Sequence, residues 1–535
     1  MQTIRFLRTH APKMRAAWVA LFFVWSPAHG SAPDDLVAAG KRLYREGVGI
    51  NGDAIKALVQ GDVPLSGTQV TCQSCHGRSG MGTIESGKIP PAIAGPFLFA
   101  PDYRTRNQRQ RPAYTDKTLA RVVRDGIDAA GQPLDPLMPR FQLSNDDVAA
   151  LTAYLRQLGT SLSPGSNTDS LRVATIIAGD IDPVIERAEL DVIETFIAAR
   201  NRSGPQRLRG GHFPHDEKEI FREWSHDIWR VKGPPESWRE QIEKLYLKQP
   251  VFALIGGLAS GSWQPVHDFC KSQEMPCLLP DIDLPVDNVG DFYSFYFSRG
   301  VLLEADVIAA ELKSKKTTAK VLSIINSNDN RAVAASSALE LALKKSGTKV
   351  NTLDILNSTM TTLSNVAETN TSAVVLWLDA DDLQKFAKGS ESEGAPVFLS
   401  ATLLGTNKKG VDVDKVPASL KSRAQVVQLT AMPNAPDPAL RRYLAWARVQ
   451  KVKVQEERHQ ALAYFACLVF AEGVKHTGLY LSRDYVLDLL NHSSKLTAYL
   501  PLYTHGGITP WQRVLSRGGY LVDLSGRAKP AWIVP

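Results

Sequence analysis

Cys72-Gln73-Ser74-Cys75-His76 puts two thiols and an imidazole into one tight stretch of chain. Three chemistries use such a spacing: half of a zinc site, a dithiol redox pair, or covalent attachment of a c-type haem. A structural zinc site takes four ligands, and no second Cys/His pair follows nearby. A thioredoxin-like pair needs a βαβ setting, and none surrounds residue 72. C-x-x-C-H as a haem anchor remains. In that chemistry Cys72 and Cys75 add to the two haem vinyl groups, and His76 is the proximal iron ligand.

The choice of a second axial ligand is narrow. Between residues 31 and 160 the only histidine is His76, and the only methionines are Met81 and Met138. Met81 lies too close along the chain to reach the opposite haem face. Met138, in Pro136-Leu137-Met138-Pro139, follows a long enough loop. A His/Met pair raises the reduction potential and leaves no open site, which suits electron transfer. The alternative is a five-coordinate iron with Met138 in the core.

The flanking residues complete a pattern. Asp34 and Asp35 complement a helix N-terminus, and Gly40 and Tyr44 follow one turn apart. Ser144 with Asp147 three residues on starts a last helix whose apolar face is Val148, Leu151, Tyr154, Leu155 and Leu158. Gly77, Gly80 and Gly82 allow tight backbone after His76, and Pro91-Ala92-Ile93-Ala94-Gly95 lies downstream. Residues 33–159 resemble the class I cytochrome c family, an all-α fold. The resemblance implies that Gly40 and Tyr44 pack against the last helix. It also implies that the carbonyl of Pro91, or of Pro90, accepts the Nδ1 hydrogen of His76. An arginine-rich insertion (Arg104, Arg106, Arg109, Arg111) either pairs with haem propionates or an acidic redox partner, or is a solvated loop.

Export would supply the compartment this chemistry needs. Arg5, Arg8, Lys13 and Arg15 precede an apolar run of about ten residues and then Ala28-His29-Gly30, a leader pattern well short of the ~20 residues of a membrane span. Cleavage near Gly30 and a soluble periplasmic product, with no membrane span, are expected; the alternative is an uncleaved anchor.

Residues 160–170 are small and polar and read as a linker. From residue 171 apolar strands alternate with helices: strands at 173–178, 251–255, 276–280, 321–325, 373–378, 396–399 and 426–429, with helices at 189–199 and 264–272. Such alternation implies parallel sheets covered by helices on both faces. Roughly 365 residues exceed one comfortable core, so two lobes are expected. Phe252-Ala253-Leu254-Ile255-Gly256-Gly257, the strand at 276–280, Phe297-Ser298-Arg299-Gly300, Val321-Leu322-Ser323-Ile324-Ile325-Asn326 and Tyr520-Leu521-Val522-Asp523 resemble type I periplasmic binding proteins of the branched-chain amino-acid and amide group. The resemblance implies two α/β lobes closing on a small solute, with three crossings between them. Ligand groups would then lie on strand C-termini and helix N-termini.

Carried over by position, Ser260 or Ser262 would donate to a solute oxygen, with Trp263 as an apolar wall, although Ser262 equally suits a helix cap. Asp281 and Asp283 would meet the solute from the other side, or serve as turn residues beside Pro280 and Pro285. Asn328 to Asn330, Asp379 and Asp381 follow strands of the second lobe. The family's paired serines and its second-lobe tyrosine are not cleanly present, and no acidic partner for an ammonium stands out.

Cys270 and Cys277 bracket a helix-to-strand turn, where an exported chain holds either a disulfide or two thiols. Cys467 sits on an apolar helix face as an inert thiol. The remaining histidines, His459 among them, show no metal-binding grouping. No nucleophile elbow, phosphate loop or carboxylate pair points to bond-making catalysis, and no basic run interleaved with aromatics points to nucleic acid. The sequence thus points to a periplasmic electron carrier with one covalent haem c, joined to a solute-binding or partner-docking domain. Its redox partners would be periplasmic proteins, and by resemblance a quinoprotein dehydrogenase chain is a plausible electron source. The alternatives are a haem-containing sensor, the solute receptor of an ABC-type uptake system, or an oxidoreductase subunit with an open haem.

Overall fold

The computed structural model of the chain describes residues 33–82, 90–101, 103–104, 110–207, 220–286, 291–315, 320–357, 371–387, 394–407, 410–432, 435–509 and 512–535. The expected leader and most of the arginine-rich insertion lie outside them.

Helix Pro33–Glu46 opens with Asp34 and Asp35 in its first turn, where the free amides favour acidic groups. Helix Asn145–Gln157 starts from a reciprocal cap: the Ser144 hydroxyl accepts the N–H of Asp147, and the Asp147 carboxylate accepts the N–H of Ser144. The two helices meet at Gly40, where a Cβ would sit 2.0 Å from the Ala150 carbonyl oxygen. One turn on, the rings of Tyr44 and Tyr154 are 5.3 Å apart. Helix Asp116–Asp125 adds Leu119, Val122 and Val123 to the same core.

This helical domain also carries a three-stranded antiparallel sheet, which the helical periodicity does not show. Its strands are Val63–Ser66, Lys56–Val59 and Arg140–Phe141. The last pairs Leu58 with Arg140, and the Gln60 N–H donates to the Pro136 carbonyl at 3.1 Å. The hairpin therefore pins both sides of the loop that carries Met138.

The rest of the chain forms two α/β lobes. The main path of the first sheet runs Ser294–Phe295, Cys277–Leu278, Ala253–Ile255, Ser170–Ala178, Glu223–Val231, all parallel. Along Ser170–Ala178, Leu171 and Val173 face helices Pro183–Arg207 and Glu457–Lys475, whereas Ala174 and Ile176 face helices Trp238–Lys248 and Gln264–Ser272. This alternation buries both faces.

The second sheet runs Val350–Asp354, Lys320–Ile325, Thr371–Trp377, Val397–Ser400, Ala424–Gln428, Gly519–Asp523, Ala531–Ile533. Its first five strands are parallel, and the last two are antiparallel additions to the edge. Helices Val301–Ser314 and Asn330–Lys344 cover one face of this sheet. After Gln428 the chain returns to the first lobe for helices Pro438–Gln450, Glu457–Lys475 and Arg483–Asn491, then goes back for the final strands. The three crossings follow.

The stretch between the domains is docked. The Ser163 hydroxyl accepts the Arg483 N–H at 3.0 Å, and the Gly165 carbonyl accepts the Arg172 N–H at 2.8 Å. Gly165 has φ +82°, and a Cβ there would meet the Phe252 nitrogen at 2.1 Å, so the strap lies on the first sheet only because it has no side chain. Cys270 and Cys277 are buried free thiols in hydrogen-bonding contact, and Cys467 is buried in its helix.

Candidate haem site and interlobe cleft

Cys72–His76 is one short helical turn, ended by Gly77 at φ +74°. It brings Cys72, Cys75 and His76 to one place. His76 is buried, with Nδ1 3.0 Å from the Pro91 carbonyl oxygen. A carbonyl only accepts, so Nδ1 carries the proton and Nε2 keeps its lone pair. Burial lowers the imidazole's pKa, which keeps that lone pair available. Pro90 serves the loop instead, since its carbonyl oxygen lies where a Cβ on Gly82 would be 2.2 Å away.

Burial pushes the Cys72 thiol up to about 12, whereas Cys75 is exposed. A redox dithiol relies on a thiolate of lowered pKa, and Cys72 is shifted the other way. The donor set suits haem c: two thiols on one turn, an imidazole with its outer nitrogen already held by a carbonyl, and a thioether on a pinned loop. Met138 and Met81 are both half-buried; Met138 borders the domain core, and its N–H donates to the Asp135 carbonyl at 3.0 Å.

Within the insertion, Arg111 turns inward. Its guanidinium donates to the carbonyls of Phe97 (2.8 Å) and Leu98 (3.3 Å) and lies 4.5 Å from the Tyr114 ring centre. It thus braces its own domain. Arg106, Arg109 and the Arg104 side chain are outside the described residues.

The residues expected at the solute cleft lie apart in role. Trp263 is fully buried in the core beneath Gly257 and is not a wall. The close glycine turn leaves room for the indole under the strand end, so the ring fills the lobe. The Ser260 hydroxyl accepts the Asp180 N–H at 3.0 Å, and that of Ser262 accepts the Gln264 N–H at 3.3 Å, at the helix start. Asp379 caps its own helix through the Asp382 N–H at 2.8 Å.

Asp281 and Asp283 do reach charged partners. The Asp281 carboxylate sits 2.6 Å from His459 Nδ1 and 3.8 Å from Arg458. These groups hold Asp281 below the usual carboxylate range against the effect of burial. Behind it the Glu189 carboxylate accepts the Gly257 N–H at 2.7 Å, and its other oxygen is buried without a partner. Burial, with the Asp281 charge, pushes the Glu189 carboxyl up to about 8. Asp283 pairs with Arg331 of the second lobe at 3.0 Å, and Arg331 also grips Asp329. Charged groups of both lobes thus meet in ion pairs after the strand Cys277–Leu278.

The turn, the imidazole and its carbonyl partner decide the N-terminal domain. Residues 37–159 match the Cytochrome c family model. A cytochrome c domain binds haem covalently. No curated protein matches the chain. Among solved structures, the chain is similar to a fatty acid ABC transporter substrate-binding protein from Thermomonospora curvata: 13% identity, 70% of this chain and 94% of that chain covered, TM-score 0.47. It is similar also to the branched-chain amino acid transporter substrate-binding protein LivJ from Streptococcus pneumoniae, at 12% identity, 69% and 100% covered, TM-score 0.46. A third is an ABC transporter substrate-binding protein from Aeropyrum pernix, at 10% identity, 69% and 96% covered, TM-score 0.48.

The cytochrome c domain is fixed to the first lobe by a partly buried charge cluster that the sequence does not announce. Arg45 reaches Asp484 at 2.5 Å and Glu274 at 2.8 Å, with Lys41 joining Glu274 at 2.7 Å. Glu189, Arg331, Arg458, His459 and Arg45 were all unremarkable in the sequence, because each finds its partner through folding rather than through spacing. Among the described residues, no helix is long and apolar enough to cross a membrane.

Proposed function

We propose that this chain is an exported c-type cytochrome with one haem that passes single electrons between periplasmic proteins, its α/β domain binding a small solute or docking a redox partner. The observation that carries the reading is His76: buried beside two thiols, with Nδ1 committed to the Pro91 carbonyl and Nε2 left for iron. Haem c, when bound, supplies one-electron chemistry at its iron. Cys72 and Cys75 would tether it, and His76 and Met138 would supply the iron's protein ligands. The Pro91 carbonyl orients the imidazole and strengthens its basicity. A potential raised by the His/Met pair suits an acceptor from a quinoprotein dehydrogenase.

For the α/β domain, support comes from the charged residues that meet there from both lobes, Asp281, His459 and Arg458 with Asp283 and Arg331. They fit a polar solute better than an apolar one.

The test is haem-competent expression followed by a pyridine haemochrome assay under denaturing conditions. One covalent haem per chain is expected. A colourless product overturns the electron-carrier reading and leaves a binding scaffold. A thermal-shift screen of polar metabolites on the full chain tests the second half, since a ligand bound only by the folded state raises its apparent stability.

A further inference from the structure

The loop leaving His76 is held from two sides. From its own domain, the Tyr44 hydroxyl donates to the Gly77 carbonyl at 2.7 Å, and the Gly82 N–H donates to the His76 carbonyl at 2.9 Å. From the α/β domain, Asp488 accepts the next two backbone N–H groups, Arg78 at 3.2 Å and Ser79 at 2.8 Å. Asp488 is 5% exposed, and both its oxygens are spent on this loop. The Arg78 guanidinium lies 4.2 Å above the Phe292 ring, so the loop's side chain is held by the same domain.

Asp488 is itself firmly placed. Its helix, Arg483–Asn491, is anchored through Arg483, which donates to the carbonyls of Val251 (2.6 Å), Phe252 (2.9 Å) and Gln273 (2.8 Å). Val251 and Phe252 lead into the strand Ala253–Ile255, which ends in the glycine turn beside Glu189, and Gln273 ends the helix Gln264–Ser272. A carboxylate on rigid backbone is thus aimed at the segment that carries the iron's imidazole.

Resting on the haem reading above, we propose that Asp488 is a positioning residue for the iron. The α/β domain uses its carboxylate to fix loop 77–82 and to place a negative charge beside the proximal ligand. Two effects follow. A nearby anion stabilises the ferric state over the ferrous state and so lowers the reduction potential, more strongly where water is excluded. A fixed loop keeps the His76 carbonyl and its hydrogen bond to Gly82 in one geometry, which keeps the imidazole in one orientation. Asp484 on the same helix, Tyr44 of the cytochrome c domain and Arg513 of the last crossing also act on this carboxyl. Burial pushes it up to about 6, so it is charged at pH values of about 8.

The experiment compares full-length, haem-loaded parent, Asp488→Asn and Asp488→Ala by optical redox titration at about pH 8. At the parent's midpoint, Asp488→Asn should hold at least about threefold more reduced than oxidised protein, with haem attachment unchanged. Hydrogen exchange of the unloaded chain gives a second readout. Amides 78 and 79 should lose protection in Asp488→Ala and regain part of it in Asp488→Asn, whose amide oxygen still accepts. Parent-like titration of the near-isosteric Asp488→Asn, or unchanged protection of amides 78 and 79 in Asp488→Ala, would overturn the proposal. Should Asp488→Ala fail to fold, Asp488→Asn decides alone, by its potential. A parent without covalent haem defeats the haem reading instead, a result seen before any titration begins.

Discussion

Arg45, in the first helix of the cytochrome c domain, meets Asp484 of the α/β domain at 2.5 Å with its side chain only 8% exposed. The pair lies 439 residues apart in sequence and makes the two domains one packed unit. Removing one member of a buried pair costs about 3–5 kcal/mol, and less where its partners keep some water. Arg45→Ala should therefore lose about 2 kcal/mol and loosen the domains, because Glu274 keeps much of its water and Asp484 a little. Differential scanning calorimetry checks this: the variant should melt earlier and show two separable transitions. A parent-like thermogram would mean that the pair holds nothing together.

Gly40→Ala puts a methyl against backbone. The added Cβ would lie 2.0 Å from the Ala150 oxygen and 2.8 Å from the Tyr154 Cβ, and neither can swing away. Overpacking of this kind costs about 1–3 kcal/mol. Chemical denaturation of the full chain should show the first transition shifted to lower denaturant, and an unmoved curve would contradict the helix crossing.

Met138→Ala should keep the haem covalently attached and open the iron. The ferrous variant is expected to bind carbon monoxide readily and to have a lower potential, whereas the parent should bind it poorly. Equal carbon monoxide binding by parent and variant would remove Met138 from the ligand set.

His459 and Asp281 lend the α/β domain a stability with two edges in pH. Burial opposes charging His459, but the Asp281 carboxylate at 2.6 Å prevails and raises it above 6.5. Asp281 in turn is held below 3.8. A raised imidazole contributes fully below 6.5 and fades as pH climbs through its folded value. A lowered carboxyl contributes above 3.8 and fades as pH falls through its folded value. The melting temperature of the parent should exceed that of His459→Gln most between these limits and converge outside them. A difference constant with pH would rule the ion pair out as its cause.

Glu189 acts in the opposite sense. In the unfolded chain it ionises near 4.5, but in the fold burial holds the proton on up to about 8. Folding therefore loses stability as pH rises between those values and levels off above them. Glu189→Gln keeps an oxygen for the Gly257 N–H and has no proton to lose. Its advantage in melting temperature over the parent should grow across that interval, and a flat difference would show Glu189 already ionised.

What was legible in the sequence was local or periodic. The Cys72–His76 turn, the Ser144 cap and helix Gln264–Ser272 stood out because neighbouring residues determine them. The strands of both sheets stood out where both faces are buried. Strand Glu223–Val231 did not: it is an edge strand, and Trp224, Trp229 and Val231 are interleaved with polar residues. Of the antiparallel end of the second sheet, Tyr520 to Asp523 stood out, whereas the short edge strand Ala531–Ile533 did not. Trp263 was misjudged because nothing in the sequence says on which side of a glycine turn a ring lies. The charge clusters of the cleft and of the domain junction depend on the three crossings, which bring distant segments together after the lobes exist.

The distance along the chain between Ser79 and Asp488, 409 residues, also orders events in time. Synthesis delivers the cysteine pair early and the helix that closes over its loop almost last. During that interval amides 78 and 79 have no Asp488 to accept them, and they gain that partner only when the late helix packs. A carboxy-terminal truncation that removes this helix would leave the backbone of the segment after His76 with only the partners of its own domain.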